Sequence, residues 1–282
     1  MNNGAAGVVS AGARPCVALC VVHGIGMQRK DWADEFVATV RRVVARRHPE
    51  IDVYPLVVWW APVTQRYEDK LIARHRSGLS WNRLRRLVIG FGGDVVAYQS
   101  PSERDAPLSR TYRAVHARID RRLRALRGLL EQTAAVGPGV PVPLVVVTHS
   151  LGSVIFSDFT YDLQEREGPG GFAHHYGLTL RALYTAGSPL ALYAMRYPRL
   201  SFDRPITLDG GTWINVLYKA DVIAYPLRSA SPAYAAVTED WTLSARWWPP
   251  LVYVTPFAHL AYWNDRRVIR RVAETVSRAA LE

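Results

Sequence analysis

The segment L-V-V-V-T-H-S-L-G-S, residues 144–153, constrains the fold of this chain more than any other. Leu144 to Val147 run apolar without alternation, as a strand buried on both faces must. They pass directly into Thr148-His149-Ser150-Leu151-Gly152, and helical spacing follows from 151 to 165. A turn this abrupt brings strand and helix backbones almost into contact, so small residues are needed beside Ser150. A strand covered on both sides also needs helices above and below its sheet.

The rest of the chain supplies them. Residues 16–22 (C-V-A-L-C-V-V) read as a second buried strand, and 33–47 carry Phe36, Val37, Val40, Val43 and Val44 at helical spacing. A strand around 51–60 ends in Trp59-Trp60. Residues 111–133 form an amphipathic helix whose stripe is Tyr112, Val115, Ile119, Leu123, Leu126 and Leu130. Strands follow at 179–185 and 213–218, and a helix at 265–280 closes the sequence. Residues 1–14 read as a loose tail. Residues 61–110 break the rhythm with charges, aromatics and Gly92-Gly93, and read as a cap or lid insertion. The expectation is one α/β domain over 15–282, with a mostly parallel sheet and helices on both faces.

The chemistry starts at Ser150. A serine on a strained strand-to-helix turn presents its hydroxyl beside a helix N-terminus, where developing negative charge is favoured. Thr148 stands where G-x-S-x-G has its first glycine, and its β-branch is expected to open the turn slightly; Gly152 keeps the second. Acyl transfer also needs two backbone N–H donors for the oxyanion. Leu151, next to the nucleophile, supplies one. His23-Gly24-Ile25-Gly26, after the first strand, points to Ile25 for the other, with Gly24 and Gly26 permitting close approach. His23 and His149 read as residues that orient these loops. The order nucleophile, acid, base then selects Asp221, just past the 213–218 strand, and His259, the one histidine after it. Asp240 is the second choice of acid, ahead of Asp209 and Glu239. His259 has an alternative role as a cap of the last helix. The remaining histidines, His48, His75, His116, His174 and His175, read as surface residues. Ser188, followed by Pro189 in T-A-G-S-P-L, reads as part of the site floor. No cofactor or metal is required by this chemistry.

The 282 residues carry a formal charge of +11, almost all of it arginine, since Lys30, Lys70 and Lys219 are the only lysines. Such a surface attracts anionic partners, including an anionic membrane surface at its periphery. No nucleic-acid-binding motif accompanies the charge, so nucleic acid is not an expected partner. Cys16 and Cys20 fit neither a redox pair nor a zinc site and read as core residues. The start lacks the pattern of a signal peptide, and no apolar run approaches a membrane span, so a cytoplasmic location is expected. Nine tryptophans is a high count. Trp59, Trp60 and Trp81 around the insertion, and Trp241, Trp247 and Trp248 beside Arg246, suit a headgroup interface, a protein interface or a core.

H-G-I-G (23–26), H-S-L-G-S-V-I-F-S-D (149–158), G-S-P-L (187–190) and A-D-V-I-A-Y-P-L (220–227) resemble α/β-hydrolase lipases, most nearly the intracellular phospholipase A1 group with DDHD domains. Asn215, six residues before Asp221, and Asp221, Ala224 and Tyr225 within the last segment match that group's pattern. The resemblance spans roughly residues 16–26 and 144–264. It implies an α/β-hydrolase fold and a serine hydrolase of lipid or other carboxylic esters, with Ser150, Asp221 and His259 in the catalytic roles. Thr148 departs from the pattern, and the chain is much shorter than the eukaryotic phospholipases. A different class also stands open: a hydrolase-fold protein that binds a lipid or protein partner without turnover.

Overall fold

Among the described residues six strands form one sheet in the order β2-β1-β3-β4-β5-β6. They are β1 (Cys16–Val22), β2 (Asp52–Val58), β3 (Val142–His149), β4 (Leu178–Ala186), β5 (Thr212–Tyr218) and β6 (Thr238–Leu243). All five pairings are parallel. The computed structural model describes residues 14–24, 29–65, 70, 73, 98, 110–133, 136–137, 139–196, 203–244 and 257–282.

The helices are α1 (Asp34–Arg47), α2 (Arg110–Gln132), α3 (Leu151–Glu167), α4 (Gly171–Tyr176), α5 (Pro232–Val237), α6 (Phe257–Leu260) and α7 (Arg266–Leu281). Those at the two faces of the sheet divide the core into two clusters. On one face, α2, α3 and α4 share one buried cluster with the even-numbered residues of β1 (Cys16, Ala18, Cys20, Val22). On the other, α1 and α7 pack against Val17, Leu19 and Val21. Every residue of β1 is therefore buried, which explains its unbroken apolar run. The α2 stripe is buried along its whole length, from Tyr112 to Leu130. Each such aliphatic side chain contributes about 1.5–3 kcal/mol by leaving water.

The order of strands decides where a site can form. From β1 the chain runs through α1 to the edge strand β2, then returns through α2 to β3 on the other flank of β1 and continues outward. The direction of winding reverses between β1 and β3. The chain leaves β1 toward the α1 face and leaves β3 toward the α3 face, so the two loops part and open a crevice at the carboxyl ends of these strands. His23-Gly24 and Ser150 lie at those ends.

The expected strands and long helices are all present, displaced by a few residues at most. Two features differ from expectation. β6 was not anticipated, because T-E-D-W-T-L neither alternates nor runs apolar: only Thr238 and Leu243 are buried. An edge strand has one neighbour, β5, and tolerates the charges of Glu239 and Asp240 that discourage further pairing. His116 is not a free surface residue. Its ring sits 3.9 Å from that of Tyr112, and its Nε2 is 2.9 Å from the hydroxyl of Tyr98. The proposed insertion at 61–110 lies outside the described residues except for 61–65, Lys70, Ala73, Tyr98 and Arg110. His75, Trp81, Arg246, Trp247 and Trp248 also lie outside them. Trp241 packs against the core with the Arg271 guanidinium 4.6 Å above its ring.

Candidate active site

Ser150 joins β3 to α3 with φ 52° and ψ −130°. Among the described residues it is the one non-glycine residue with positive φ. A side chain in that region costs on the order of 1–3 kcal/mol and persists only where surrounding structure imposes it. Here the imposition is visible. Ser150 N donates to Ala186 O in β4 (3.0 Å), and Ser153 N donates back to Ser150 O (3.0 Å). The Ser153 hydroxyl bonds that same carbonyl and the hydroxyl of Ser188, each at 2.6 Å. Ser188 thus supports the elbow from beneath. Thr148 stays in the ladder between Val22 and Thr185, and its Oγ1 donates to Tyr184 O (2.8 Å). The hydroxyl is satisfied inside the sheet, so threonine is accommodated in place of glycine.

Two glycines register how closely β1's end approaches the turn. A Cβ on Gly152 would lie 2.3 Å from His23 O, and one on Gly24 would lie 2.6 Å from Ser150 Cβ. Neither position tolerates a side chain. Leu151, buried, is the first residue of α3, so its N–H belongs to the unpaired amides of that helix N-terminus. Ile25 and Gly26 lie outside the described residues.

His23 and His149 act as internal struts. The Nδ1–H of His23 donates to Gly24 O (2.6 Å), and its Nε2 accepts from Trp60 N (3.1 Å) and Ala61 N (3.3 Å). The ring stacks on Trp60, whose indole N–H donates to His23 O (2.9 Å). His149 Nε2–H donates to His259 O (2.6 Å), tying the residue before the serine to the segment that carries His259. Burial drives both imidazoles down, each from the ordinary 6.5 to about 3; the charge of His259 adds to the effect at His149. Both are neutral when folded.

Asp221 and His259 meet as expected: His259 Nδ1–H donates to Asp221 Oδ2 at 2.9 Å. The carboxylate is buried, with its side chain 1% exposed. Burial alone raises its pKa, but the His259 hydrogen bond and charge, the Tyr262 hydroxyl and the Ile223 N–H outweigh it, and the net direction is down. With Nδ1 donating to a carboxylate, Nε2 is left as the acceptor face. That Nε2 and the Ser150 hydroxyl are both buried, and neither has a hydrogen-bond partner among the described residues.

The other acid candidates have structural tasks. Asp240, on β6, accepts from Asn215 Nδ2 (2.8 Å), Leu227 N (2.9 Å) and Arg228 N (3.0 Å). Together with Asn215, which also donates to Tyr225 O, it ties down the far end of the loop carrying Asp221. Asp209 accepts from Leu180 N, and Glu239 pairs with Arg271. Nor does His259 cap the last helix: Asp265 does, accepting from Arg267 N at 2.7 Å. Sequence reading missed Tyr262, whose hydroxyl donates to Asp221 Oδ2 at 2.7 Å. Its spacing of three from His259, on a short helical segment, was the available signal.

A parallel sheet flanked by helices, a serine on a strained strand-to-helix turn, and an acid and histidine following in that order define the α/β-hydrolase class of fold. No family model matches the sequence. No curated protein matches it either. Among solved structures, an uncharacterized protein from Pseudomonas aeruginosa is 14% identical with a TM-score of 0.40; the match covers 96% of this chain and 47% of that one. The NocB thioesterase domain, in covalent complex with a fluorophosphonate nocardicin G analog, is 13% identical with a TM-score of 0.35 over 93% of both chains. RedJ, with a PEG molecule in its active site, is 14% identical with a TM-score of 0.34, covering 94% of this chain and 95% of that one.

Two outcomes are expected. Ser150→Gly relieves the positive φ and removes the unpaired hydroxyl, so it raises unfolding free energy by about 1 kcal/mol in urea titration, against the usual cost of substitution. Stability also falls in acid. Between the ordinary histidine value of 6.5 and about 3 the unfolded chain protonates His23 and His149 and the folded chain does not. Each contributes a loss of about 1.4 kcal/mol per pH unit through that window. Asp221, depressed when folded, adds stability that disappears as pH falls through its folded pKa. Urea midpoints from pH 7 to pH 4 measure the slope.

Proposed function

We propose that this protein is a serine hydrolase that cleaves carboxylic esters through an acyl-enzyme on Ser150. One observation carries the reading. The two atoms that a serine–histidine pair uses for proton transfer, Ser150 Oγ and His259 Nε2, are buried and left unpartnered among the described residues, while Nδ1 of the same imidazole is held by a buried carboxylate. A non-catalytic core satisfies nearly all of its buried polar groups; the Trp32 indole N–H is also unpartnered among the described residues, but it carries no acid–base chemistry.

In the proposed reaction Ser150 Oγ attacks the ester carbonyl carbon as its proton passes to His259 Nε2. Asp221 orients the imidazole and stabilises its charged form. The oxyanion is received by the N–H of Leu151 and, as the second donor, that of Ile25. Collapse breaks the carbon–oxygen bond to the leaving alcohol, which takes the proton from His259. Water then repeats the sequence and releases the acid. The arginine-rich composition favours anionic substrates, which makes lipid and phospholipid esters the substrate class to examine first. Exposed arginines lie on α1 (Arg41, Arg42, Arg46) and on α2 (Arg113, Arg121, Arg122), which cover opposite faces of the sheet.

Fluorophosphonate labelling tests the proposal. Wild type is expected to label; Ser150→Ala abolishes labelling, His259→Ala slows it by about 10³-fold or more, and Asp221→Asn slows it less. A folded wild type that fails to label, with or without detergent micelles, contradicts the reading and favours a fold that binds without turnover.

A further inference from the structure

Asp221 is engaged on both oxygens. Oδ1 accepts from Ile223 N at 3.0 Å, which closes the turn carrying the carboxylate. Oδ2 accepts from two groups at once, His259 Nδ1–H at 2.9 Å and the Tyr262 hydroxyl at 2.7 Å. The two donors come from one short stretch, α6 and the 3-10 turn Ala261–Asn264 that follows it.

Tyr262 is fixed in place. Its ring is buried, and its hydroxyl accepts from Tyr218 N at 3.0 Å while donating to the carboxylate. A Cβ on Gly187 (φ +59°) would lie 2.8 Å from the Tyr262 ring and 3.1 Å from both Asp221 Oδ2 and His259 Nδ1. The chain there passes as bare backbone between the three. The hydroxyl is therefore held on Asp221, and it competes with the imidazole for the same oxygen.

We propose that Tyr262 is a positioning residue of the site, whose hydroxyl fixes the Asp221 carboxylate and limits how strongly that carboxylate holds the His259 imidazole. The inference rests on the serine-hydrolase reading. A carboxylate oxygen shared with a phenol is a weaker acceptor for the imidazole than one facing the imidazole alone. Removing the phenol strengthens the grip on the protonated base and frees the carboxylate to turn. The stronger grip keeps the base protonated to higher pH, and the looser carboxylate slows turnover. The other titratable groups against this cluster are His149, neutral and facing the His259 ring, and Tyr218, whose hydroxyl is engaged by Asp265. Burial and the adjacent Asp221 charge hold the Tyr262 hydroxyl in its protonated form, so it remains a donor throughout the working range.

The test is the pH profile of p-nitrophenyl butyrate hydrolysis by wild type, Tyr262→Phe, and a full-length protein with 3-fluorotyrosine placed at 262. The phenylalanine variant is expected to lose about tenfold in kcat with KM changed by less than about twofold, and its acidic limb of kcat/KM moves up by about half a unit or more. The fluorotyrosine, a stronger donor of the same shape, moves that limb down. Tyr262→Phe also removes the hydrogen bond that Tyr218 N donates to the phenol and lowers stability, which is why the isosteric phenol is included. The downfield Nδ1–H proton resonance of His259 gives a reading without turnover: it shifts further downfield in Tyr262→Phe and its pH midpoint rises. Superimposable limbs for all three proteins, or a resonance that does not respond, overturn the inference while leaving the hydrolase reading intact. Absence of turnover in wild type overturns the hydrolase reading, and the resonance then decides the positioning role alone.

Discussion

The end of β1 and the start of α3 are in backbone contact, and much of the site depends on that contact. A methyl group on Gly152 would reach to 2.3 Å of the His23 carbonyl oxygen. With nothing between them, His23-Gly24 is pressed against the serine, and Gly24 has no room for a side chain either. The approach is possible because β1 and β3 are neighbours in a parallel ladder while their connecting helices leave on opposite faces of the sheet. The strain at Ser150 follows from the same contact. A strand that must become a helix within one residue, against another backbone, forces φ to 52°.

Around this contact the polar groups form two classes. Those that hold the loops are neutral and hydrogen-bonded: His23 between Gly24 and Trp60, His149 on the His259 carbonyl, Ser153 and Ser188 under the elbow. Ser150 Oγ, His259 Nε2 and the Trp32 indole N–H have no partner among the described residues, and of these only the first two can take part in proton transfer. Burial keeps the first class uncharged, so the buried charge of the site is concentrated on Asp221, where three hydrogen bonds receive it. Asn215 and Asp240 hold the loop of Asp221 in place through the backbone at Tyr225, Leu227 and Arg228.

The parts of this arrangement written as local pattern were legible in the sequence. Ser150, Gly152, His23 and Gly24 announce themselves because a strand-to-helix turn restricts residue size, and strands β1 and β3 because burial on both faces removes polar residues. Asp221 and His259 were legible through order along the chain; Asp221 came ahead of Asp240 because it lies just past β5, and in the structure Asp240 is occupied by Asn215 and the backbone of Leu227 and Arg228. What escaped was non-local or weakly patterned. β6 is an edge strand whose exposed charges hide it. Tyr262 looked like one more apolar aromatic near a helix start, and its role depends on a carboxylate 41 residues earlier. His116 looked exposed because its partners, Tyr98 and Asp162, come from distant segments.

Turnover by the proposed route requires that Ser150 become covalently acylated. The most direct measurement is mass spectrometry of the Ser150-containing peptide after brief exposure to p-nitrophenyl butyrate and acid quench, with Ser150→Ala beside wild type. A butyryl group on Ser150, absent from Ser150→Ala and discharged with time in wild type, is the result this account requires. Ester hydrolysis that continues in Ser150→Ala, or an acyl group found on another residue alone, would contradict it.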